Sequence, residues 1–143
     1  MTQEEKDLLI KDLCARLPYG VKIDNMGMAC ILTSINNKYR IIVESDEVDK
    51  NSNFNLAKLD ILEIEDAKPY LFPISSMTDE QYDELYNYCY EAEREASKFS
   101  NGGLKIIYNY ELVKIDWLNQ NHFDWRGLIP MGLAKDATGL NIY

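Results

Sequence analysis

Three short segments between residues 20 and 45 alternate with turns of two or three residues, and this order narrows the possible folds more than any other feature. The segments GVKID, MACILTSI and KYRIIVES are rich in β-branched and aromatic residues, which favour strands. Asn25-Met26-Gly27 and Asn36-Asn37 separate them as plausible hairpin turns. Three sequential strands with such short turns predict an antiparallel meander. A fourth segment, LAKLDILEIED, resumes the alternation and could complete a small curled sheet.

A helix is predicted before these segments. Thr2 and Glu5 have the spacing of a capping box, in which each side chain accepts a hydrogen bond from the backbone N–H of the other residue. Leucines then recur every four residues, which is typical of an amphipathic helix at about residues 3–16. Pro18 disfavours helical geometry in the residue before it and therefore ends this helix.

Two more helices are predicted in the second half of the chain. Thr78 to Gln81 is another capping box, and the helix that it begins ends at Asn101-Gly102-Gly103. Residues 104–108 fit a strand or a helix. A third helix is predicted at about residues 109–121, because its apolar residues keep a helical period.

The remaining segments are polar or punctuated by glycine and proline. Residues 45–55 lack a clean period and are predicted to form an exposed loop or a hairpin tip. Pro69 and Pro73 hold KPYLFPISSMTDEQ extended, as a linker into the second helix. The tail LIPMGLAKDATGLNIY is predicted to pack as a short helix plus an ordered coil. The predicted fold is α+β, a single domain of residues 1–143 in which a small antiparallel sheet of three to five strands packs with an N-terminal helix and two C-terminal helices.

Composition limits the partners and the compartment. The 143 residues are 46% apolar, which is enough to fill one core, and they carry a net charge of −9. Direct binding to nucleic acid or to an anionic membrane is disfavoured, because both need cationic side chains. Three well-separated cysteines and an acidic N-terminus predict reduced thiols in a cytoplasmic protein. No stretch of the sequence is long and apolar enough to span a membrane.

The segment NHFDWRG, residues Asn121 to Gly127, contains the only histidine together with an acid, a tryptophan and an arginine. His122 and Asp124 could orient an imidazole or supply two metal ligands, and with Trp125 and Arg126 they are the candidate ligand-binding residues. A hydrolytic triad would also need an activated nucleophile and an oxyanion hole, for which no motif is present. The preferred interpretation is structural, with His122 and Asp124 ending a helix and Arg126 pairing with a nearby acid. No catalytic residue, metal site or cofactor is predicted.

The second predicted helix is acidic and rich in tyrosine. Seven acids and one base lie between residues 79 and 95. Such a face is usually solvated, and a phosphate-like surface that mimics nucleic acid is the alternative. Tyr82 and Tyr86 are assigned to the apolar stripe that faces the core. Tyr88 and Tyr90 point away from that stripe, where they could contact a partner or pack against the sheet or the tail.

Three blocks of sequence stand out together: LCARLPYGVK, KPYLFPISSMT and IDWLNQNHFDWRGLIPMGLAKDATGLNIY. In these blocks, which cover roughly a third of the chain, the protein resembles an uncharacterised protein family of gut Bacteroides-type bacteria, their mobile elements and their phages. The last block is the most specific, with its run W-L-N-x-N-H-F-D followed by an aromatic residue and R-G-L-I. The resemblance implies a small intracellular protein of bacterial or phage origin, and it implies no activity and no catalytic residue.

These observations leave three hypotheses for function. The first is a non-enzymatic accessory or protein-interaction module, favoured by the missing catalytic motifs and the many tyrosines and acids. The second is a small enzyme or ligand-binding domain centred on His122, Asp124 and Arg126, which would place those side chains around a concave pocket. The third is an acidic inhibitor that mimics nucleic acid, whose binding would weaken steeply with salt.

Overall fold

A computed structural model describes residues 1–36, 38–45, 58–99 and 108–143 of the chain. Within these ranges the fold is α+β, as predicted, with three α-helices and one mixed sheet of six strands. The sheet is larger than the predicted three to five strands, and one pair of its strands is parallel. In chain order the elements are α1 (Gln3–Arg16), β1 (Lys22–Asn25), β2 (Met28–Ile35), β3 (Arg40–Ser45), β4 (Lys58–Glu63), β5 (Lys68–Leu71), α2 (Asp79–Phe99), α3 (Tyr110–Gln120) and β6 (Lys135–Asp136).

Three predictions fall wholly or largely outside the described residues. They are the loop at residues 45–55, the helix end at Asn101-Gly102-Gly103 and the strand or helix at residues 104–108. Of the last segment only Tyr108 is described. It lies just before α3 and belongs to neither a strand nor a helix. None of the helices in the described ranges combines the length and the apolar character needed to cross a membrane.

Helix α1 begins and ends as predicted. The Thr2 hydroxyl accepts a hydrogen bond from the Glu5 backbone N–H (3.2 Å), and the Glu5 carboxylate accepts one from the Thr2 N–H (2.6 Å). Pro18 lies in a short 3-10 turn that directly follows the helix. Leu9 and Leu13 are fully buried, because the helix packs its apolar stripe against one face of the sheet.

Strands β1 to β3 form the predicted antiparallel meander, and β4, from the fourth predicted segment, extends it antiparallel to β3. Met26 and Gly27 connect β1 to β2 with φ angles of +50° and +90°, the left-handed pair that a tight two-residue hairpin requires. Between β2 and β3, the Asn36 side chain accepts a hydrogen bond from the Lys38 N–H (2.9 Å), which supports a turn at the predicted place. Asn37 itself lies outside the described residues.

Strands β5 and β6 come from segments that were predicted to be a linker and a tail. The spatial order of the sheet is β4-β3-β2-β1-β5-β6, with β5 antiparallel to β1 and β6 parallel to β5. Pro69 lies within β5 and has no N–H to donate to the sheet, which is why this segment is easily taken for a linker. The short helix predicted in the tail is wrong, because the described residues after α3 form turns and one short strand.

Two apolar clusters hold these elements together. The larger one joins α1, the meander, β5 and the tail, and its buried members include Leu9, Leu13, Ile23, Leu32, Ile41, Val43, Leu71 and Leu128. The smaller one joins α2 and α3, through Leu85, Cys89, Trp117, Leu118 and Phe123. Helix α2 starts with its predicted capping box, in which Thr78 and Gln81 exchange hydrogen bonds of 2.9 and 3.2 Å. Helix α3 is capped by Asn109, close to the predicted start.

Candidate functional site

The segment Asn121 to Gly127 ends helix α3. His122 has a φ of +60°, in the left-handed region that terminates helices. The His122 N–H donates to the Asn119 carbonyl (3.2 Å) and the Phe123 N–H to the Leu118 carbonyl (2.9 Å), the two hydrogen bonds of a Schellman motif. Glycine or asparagine usually occupies this position. The predicted helix-ending role of His122 is confirmed.

The backbone of the same segment is fixed beside the end of β5. The Phe72 N–H donates to the His122 carbonyl (2.9 Å), and the Asp124 N–H donates to the Phe72 carbonyl (2.8 Å). The Phe123 ring between them stacks on Trp117, with the ring centroids 5.8 Å apart. The segment is therefore anchored by its backbone on one side and by its aromatic ring on the other.

The His122 ring is enclosed by an aromatic neighbour. The residue is 8% exposed, and its ring stacks on that of Tyr143 with centroids 4.0 Å apart and planes 14° from parallel. Among the described residues its buried Nδ1 has no hydrogen-bond partner. Burial, and then the charge of Arg16, lower the pKa of His122 to about 4. The ring is therefore neutral at neutral pH and cannot act as a cation at the helix end.

Tyr143 closes the tail over this histidine. Its hydroxyl donates a hydrogen bond to the Tyr70 carbonyl (2.7 Å) and accepts one from the Lys22 N–H (3.0 Å). Its ring centroid also lies 5.9 Å from that of Phe72. Burial raises the pKa of Tyr143 to about 12, so the hydroxyl keeps its proton and its role as a donor. The tail is thus tied to β1 and β5 at the point where it covers His122.

Asp124 serves a different structural role. Its two carboxylate oxygens accept hydrogen bonds from the backbone N–H groups of Leu128 and Ile129, each at 2.8 Å. The carboxylate is buried in this turn, and in the described part of the chain no hydrogen bond joins it to the His122 ring. The H-x-D spacing therefore reflects two separate local structures and not an oriented imidazole.

Trp125 and Arg126 contact each other, and Trp125 also bonds to α3 while Arg126 reaches α1. The Arg126 guanidinium carbon lies 3.9 Å from the centroid of the Trp125 ring, a cation–π contact. The Trp125 Nε1–H donates to the Asn119 side chain (2.8 Å). Arg126 Nε lies 3.2 Å from Asp12 Oδ1, close enough for an ion pair but without hydrogen-bond geometry. The prediction that Arg126 pairs with a nearby acid is confirmed.

Asp12 is the residue that sequence reasoning missed. It is fully buried with Arg16, whose Nε and Nη2 donate to its two carboxylate oxygens at 2.7 and 3.1 Å. Arg16 Nη2 also donates to the Phe123 carbonyl (2.8 Å), which ties α1 to the segment after α3. The only signal in the sequence was an acid four residues before an arginine, a spacing that is common on exposed helix faces.

The four candidate ligand-binding residues lie in one segment, but they do not line any of three depressions on the described surface. The first, of about 280 Å³, is lined by Asp7, Ile10, Lys11, Asn36 and Tyr39. The second, of about 410 Å³, is lined by Asp24, Asn25, Met26, Leu62 and Asp66. The third lies between α2 and the start of α3 and is described below. Within the described ranges, no three side chains of the metal-binding types are grouped to hold an ion. Ligand binding at His122, Asp124, Trp125 and Arg126 stays a prediction.

The tyrosines of α2 are placed differently from the prediction. Tyr82 and Tyr86 are 51% and 67% exposed, so their assignment to the core stripe is wrong. The buried stripe of α2 is narrow, with Leu85 and Cys89 packed in the smaller cluster beside α3. Tyr90, which was predicted to point away from that stripe, is 53% exposed, and this favours the alternative of a partner surface over packing against the sheet or the tail.

Tyr88 points away from the core stripe, as predicted, but it binds within the chain. Its hydroxyl donates to Asp116 Oδ2 (2.8 Å), while the Tyr19 hydroxyl donates to Asp116 Oδ1 (2.5 Å). The hydrogen bond to Asp116, followed by burial, raises the pKa of Tyr88 to about 12. Tyr88 therefore helps to join α2 to α3. Its hydroxyl is already bonded within the chain, so it is less available to a partner protein than Tyr82, Tyr86 and Tyr90 are.

The third depression is rich in tyrosine and has a volume of about 300 Å³. We call it the tyrosine groove, and its lining consists of Tyr86, Cys89, Tyr90, Glu93, Tyr108 and Tyr110. The Tyr108 hydroxyl donates to the Cys89 carbonyl (3.0 Å), which fixes that ring against α2. Burial raises the pKa of the Cys89 thiol, so the sulfur is held as a thiol and not as the nucleophilic thiolate.

Acidic side chains are concentrated on α2, which forms one side of this groove. All seven acids predicted on α2 are exposed. Glu91 pairs with Arg94 (2.8 Å) and Glu95 pairs with Lys98 (2.9 Å). The other five make no ion pair with any described residue, so α2 presents uncompensated negative charge beside exposed aromatic rings.

No protein-family model, curated protein or solved structure matches this chain.

Proposed function

We propose that this protein is a non-enzymatic protein-interaction module that binds its partner through one surface, the tyrosine face. This face consists of Tyr82, Tyr86 and Tyr90 on α2 and Tyr110 at the start of α3. The exposure of these rings is the observation that carries the proposal, since each is at least 46% exposed. Tyrosine is enriched in protein interfaces because its large ring adds contact area at a small cost in conformational entropy.

The state of the reactive side chains supports a role without catalysis. The His122 ring is neutral, buried and stacked on Tyr143. The Asp124 carboxylate is occupied by two backbone N–H groups, and the Cys89 thiol has a raised pKa. A nucleophile or general base would instead need an accessible position and a pKa suited to its task.

A capture experiment tests the proposal. The C-terminal block resembles a family of Bacteroides-type bacteria and their phages, so we propose a lysate of such a bacterium as the source of partners. The immobilised wild-type chain should retain a specific protein, and the triple variant Tyr82→Ser/Tyr86→Ser/Tyr90→Ser should lose it. Because these side chains are exposed, the triple variant should melt within a few degrees of the wild type.

The matched control is the double variant Leu59→Ser/Ile61→Ser. These side chains lie on β4, an edge strand of the sheet, and are 61% and 67% exposed, much like the tyrosines. The control should retain the partner. Retention by the tyrosine variant as well would contradict the proposal. If such retention also fell steeply between about 50 and 200 mM salt, the acidic mimic of nucleic acid would become the better hypothesis.

A further inference from the structure

The tyrosine groove brings four aromatic rings to one place. Tyr86 and Tyr90 come from α2, and Tyr108 and Tyr110 come from the segment that begins α3. The face of an aromatic ring carries negative potential, so several rings around one space favour a cation over a neutral group of the same shape. The volume of about 300 Å³ is at the lower end of the range for ligand sites, which suits one side chain or a small cation.

A carboxylate in the same groove adds to this preference. Glu93 is exposed and makes no side-chain hydrogen bond or ion pair with any described residue. The pKa of Tyr108 is raised by burial first, and the negative charge of Glu93 raises it further, so this carboxylate acts on the groove. On the α3 side, the charges of Glu111 and Lys114 act on Cys89 with opposite sign. Among the described residues, the charged groups that act on Cys89 and Tyr108 are therefore the acids Glu93 and Glu111 and the base Lys114.

The chain uses the same chemistry elsewhere, with two described cations placed over aromatic rings outside the groove. Arg126 lies over Trp125 at 3.9 Å, and Lys135 lies over Tyr70 at 5.8 Å. Among the described residues, no lysine or arginine makes such a contact with a ring of the tyrosine groove. In the part of the chain that the structure describes, the aromatic faces of the groove thus have no cationic side chain against them.

Building on the proposed function, we propose that the tyrosine groove binds a cationic side chain of the partner protein, the guanidinium of an arginine or the ammonium of a lysine. The four rings supply the cation–π contact, and Glu93 supplies the opposite charge. A net charge of −9 steers a basic surface of the partner toward this chain from a distance. The cationic side chain then anchors the partner at the centre of the tyrosine face.

Two small probes test this inference without knowledge of the partner. N-acetyl-arginine methylamide carries the guanidinium, and N-acetyl-citrulline methylamide is its nearly isosteric neutral analogue. Each is titrated into protein labelled with ¹³C in its tyrosine rings, and ring chemical shifts are followed by NMR. The arginine probe should shift the signals of Tyr86, Tyr90, Tyr108 and Tyr110. The citrulline probe should bind at least about threefold more weakly, as expected for a cation–π contact at an exposed site.

Two variants test whether the Glu93 carboxylate itself contributes to binding of the arginine probe. Glu93→Gln should weaken binding of the arginine probe by about threefold or more, because it removes the negative charge that Glu93 adds to the groove. Glu91→Gln is the matched control, since Glu91 lies two residues away on the same helix, pairs with Arg94 and does not line the groove. It should leave the affinity unchanged. The NMR spectrum of each variant also shows that it is folded.

The outcomes distinguish this inference from the proposed function. Equal binding of both probes, or an unchanged affinity in Glu93→Gln, would overturn the cationic anchor. So would the absence of any shift at millimolar concentrations of the arginine probe. If the triple tyrosine variant nevertheless lost the partner, the tyrosine face would still be the interaction surface, but the groove would not bind a cationic side chain. In the opposite case, the arginine probe binds as expected while the triple tyrosine variant still retains the partner. That result would refute the proposed function and leave the cation site in place.

Discussion

Mild acidification should destabilise this protein through its only histidine. The pKa of His122 is about 4 in the folded chain, whereas an unfolded histidine has a pKa of about 6.5. Above about pH 6.5 both states are neutral, and this group has no effect on stability. Between these two values the unfolded state binds a proton that the folded state does not. The free energy of unfolding therefore falls as the pH drops from about 6.5 toward 4, and the loss is complete below that.

The size of the effect follows from the difference between the two pKa values. A shift from 6.5 to about 4 corresponds to about 3 kcal/mol, at ~1.4 kcal/mol for each pKa unit. About 2 kcal/mol of this should be lost between about pH 7.5 and pH 5.0. His122 is only 8% exposed, so solvent does little to reduce the effect of burial on its pKa. The acids whose pKa is lowered, Asp24, Glu65 and Glu95, lose their contribution at still lower pH.

Urea unfolding at several pH values between about 7.5 and 5.0 measures the effect, with His122→Asn as the reference. Asparagine tolerates the left-handed backbone at φ +60°, so the variant removes the titrating ring and keeps the helix end. At neutral pH the variant should be less stable than the wild type because it loses the contact with Tyr143. The free energy of unfolding of the wild type should fall by about 2 kcal/mol more than that of the variant over this range. Parallel pH profiles would refute a buried, neutral His122.

Three further predictions concern the contacts around this segment, all measured by urea unfolding at neutral pH. Asp12→Ala should cost about 3–5 kcal/mol, because it leaves the buried Arg16 without its carboxylate; a loss below about 1 kcal/mol would contradict the buried network. Asp124→Ala should cost about 2–3 kcal/mol by leaving two backbone N–H groups unpaired, and Asp124→Asn should cost less because it keeps one acceptor. Deletion of residues 140–143 should cost about 2–4 kcal/mol, because it removes an aromatic ring with two hydrogen bonds. An unchanged midpoint in the truncated chain would show that the tail contributes nothing.

Local signals predicted the parts of the fold that depend on neighbours in sequence. Both capping boxes formed, because each needs only residues three apart. The turn at Met26 and Gly27 formed for the same reason, and it set the register of β1 against β2. Alternation of apolar and polar residues then placed the inward side chains of β3 in the core.

Strand β5 could not be predicted from local sequence signals. Its four residues contain a proline and follow a 3-10 turn, so no pattern within them favours a strand. They become one because β1 and β6 provide pairing partners on either side, and β6 comes from more than sixty residues later in the chain. The tail forms no helix for the same reason, since its backbone bonds to β5 instead, as the Ala137 N–H does to the Leu71 carbonyl.

The tyrosines of α2 show the corresponding limit for a helix. Helical periodicity gives the direction of an apolar stripe, but the width of the part that is buried depends on how many elements pack against it. Leu85 and Cys89 fill the contact with α3, so Tyr82 and Tyr86, one turn away, remain outside it. Exposure of these rings, and with it the candidate interaction surface, was therefore set by packing that the sequence of α2 alone does not contain.

The candidate site, with His122, Asp124 and Arg126, has the same dependence on packing that the local sequence does not contain. Polar residues at close spacing are what a catalytic centre requires, and they are also what a buried helix end requires to satisfy its backbone. Which of the two applies depends on the partners of each side chain, and those come from Tyr143, from the backbone after Asp124 and from Asp12 in the first helix. Because each side chain is directed to a different partner, the cluster in sequence becomes three separate contacts in space. The tyrosine groove arises in the opposite way, since α2 and the segment before α3 are brought together only by folding.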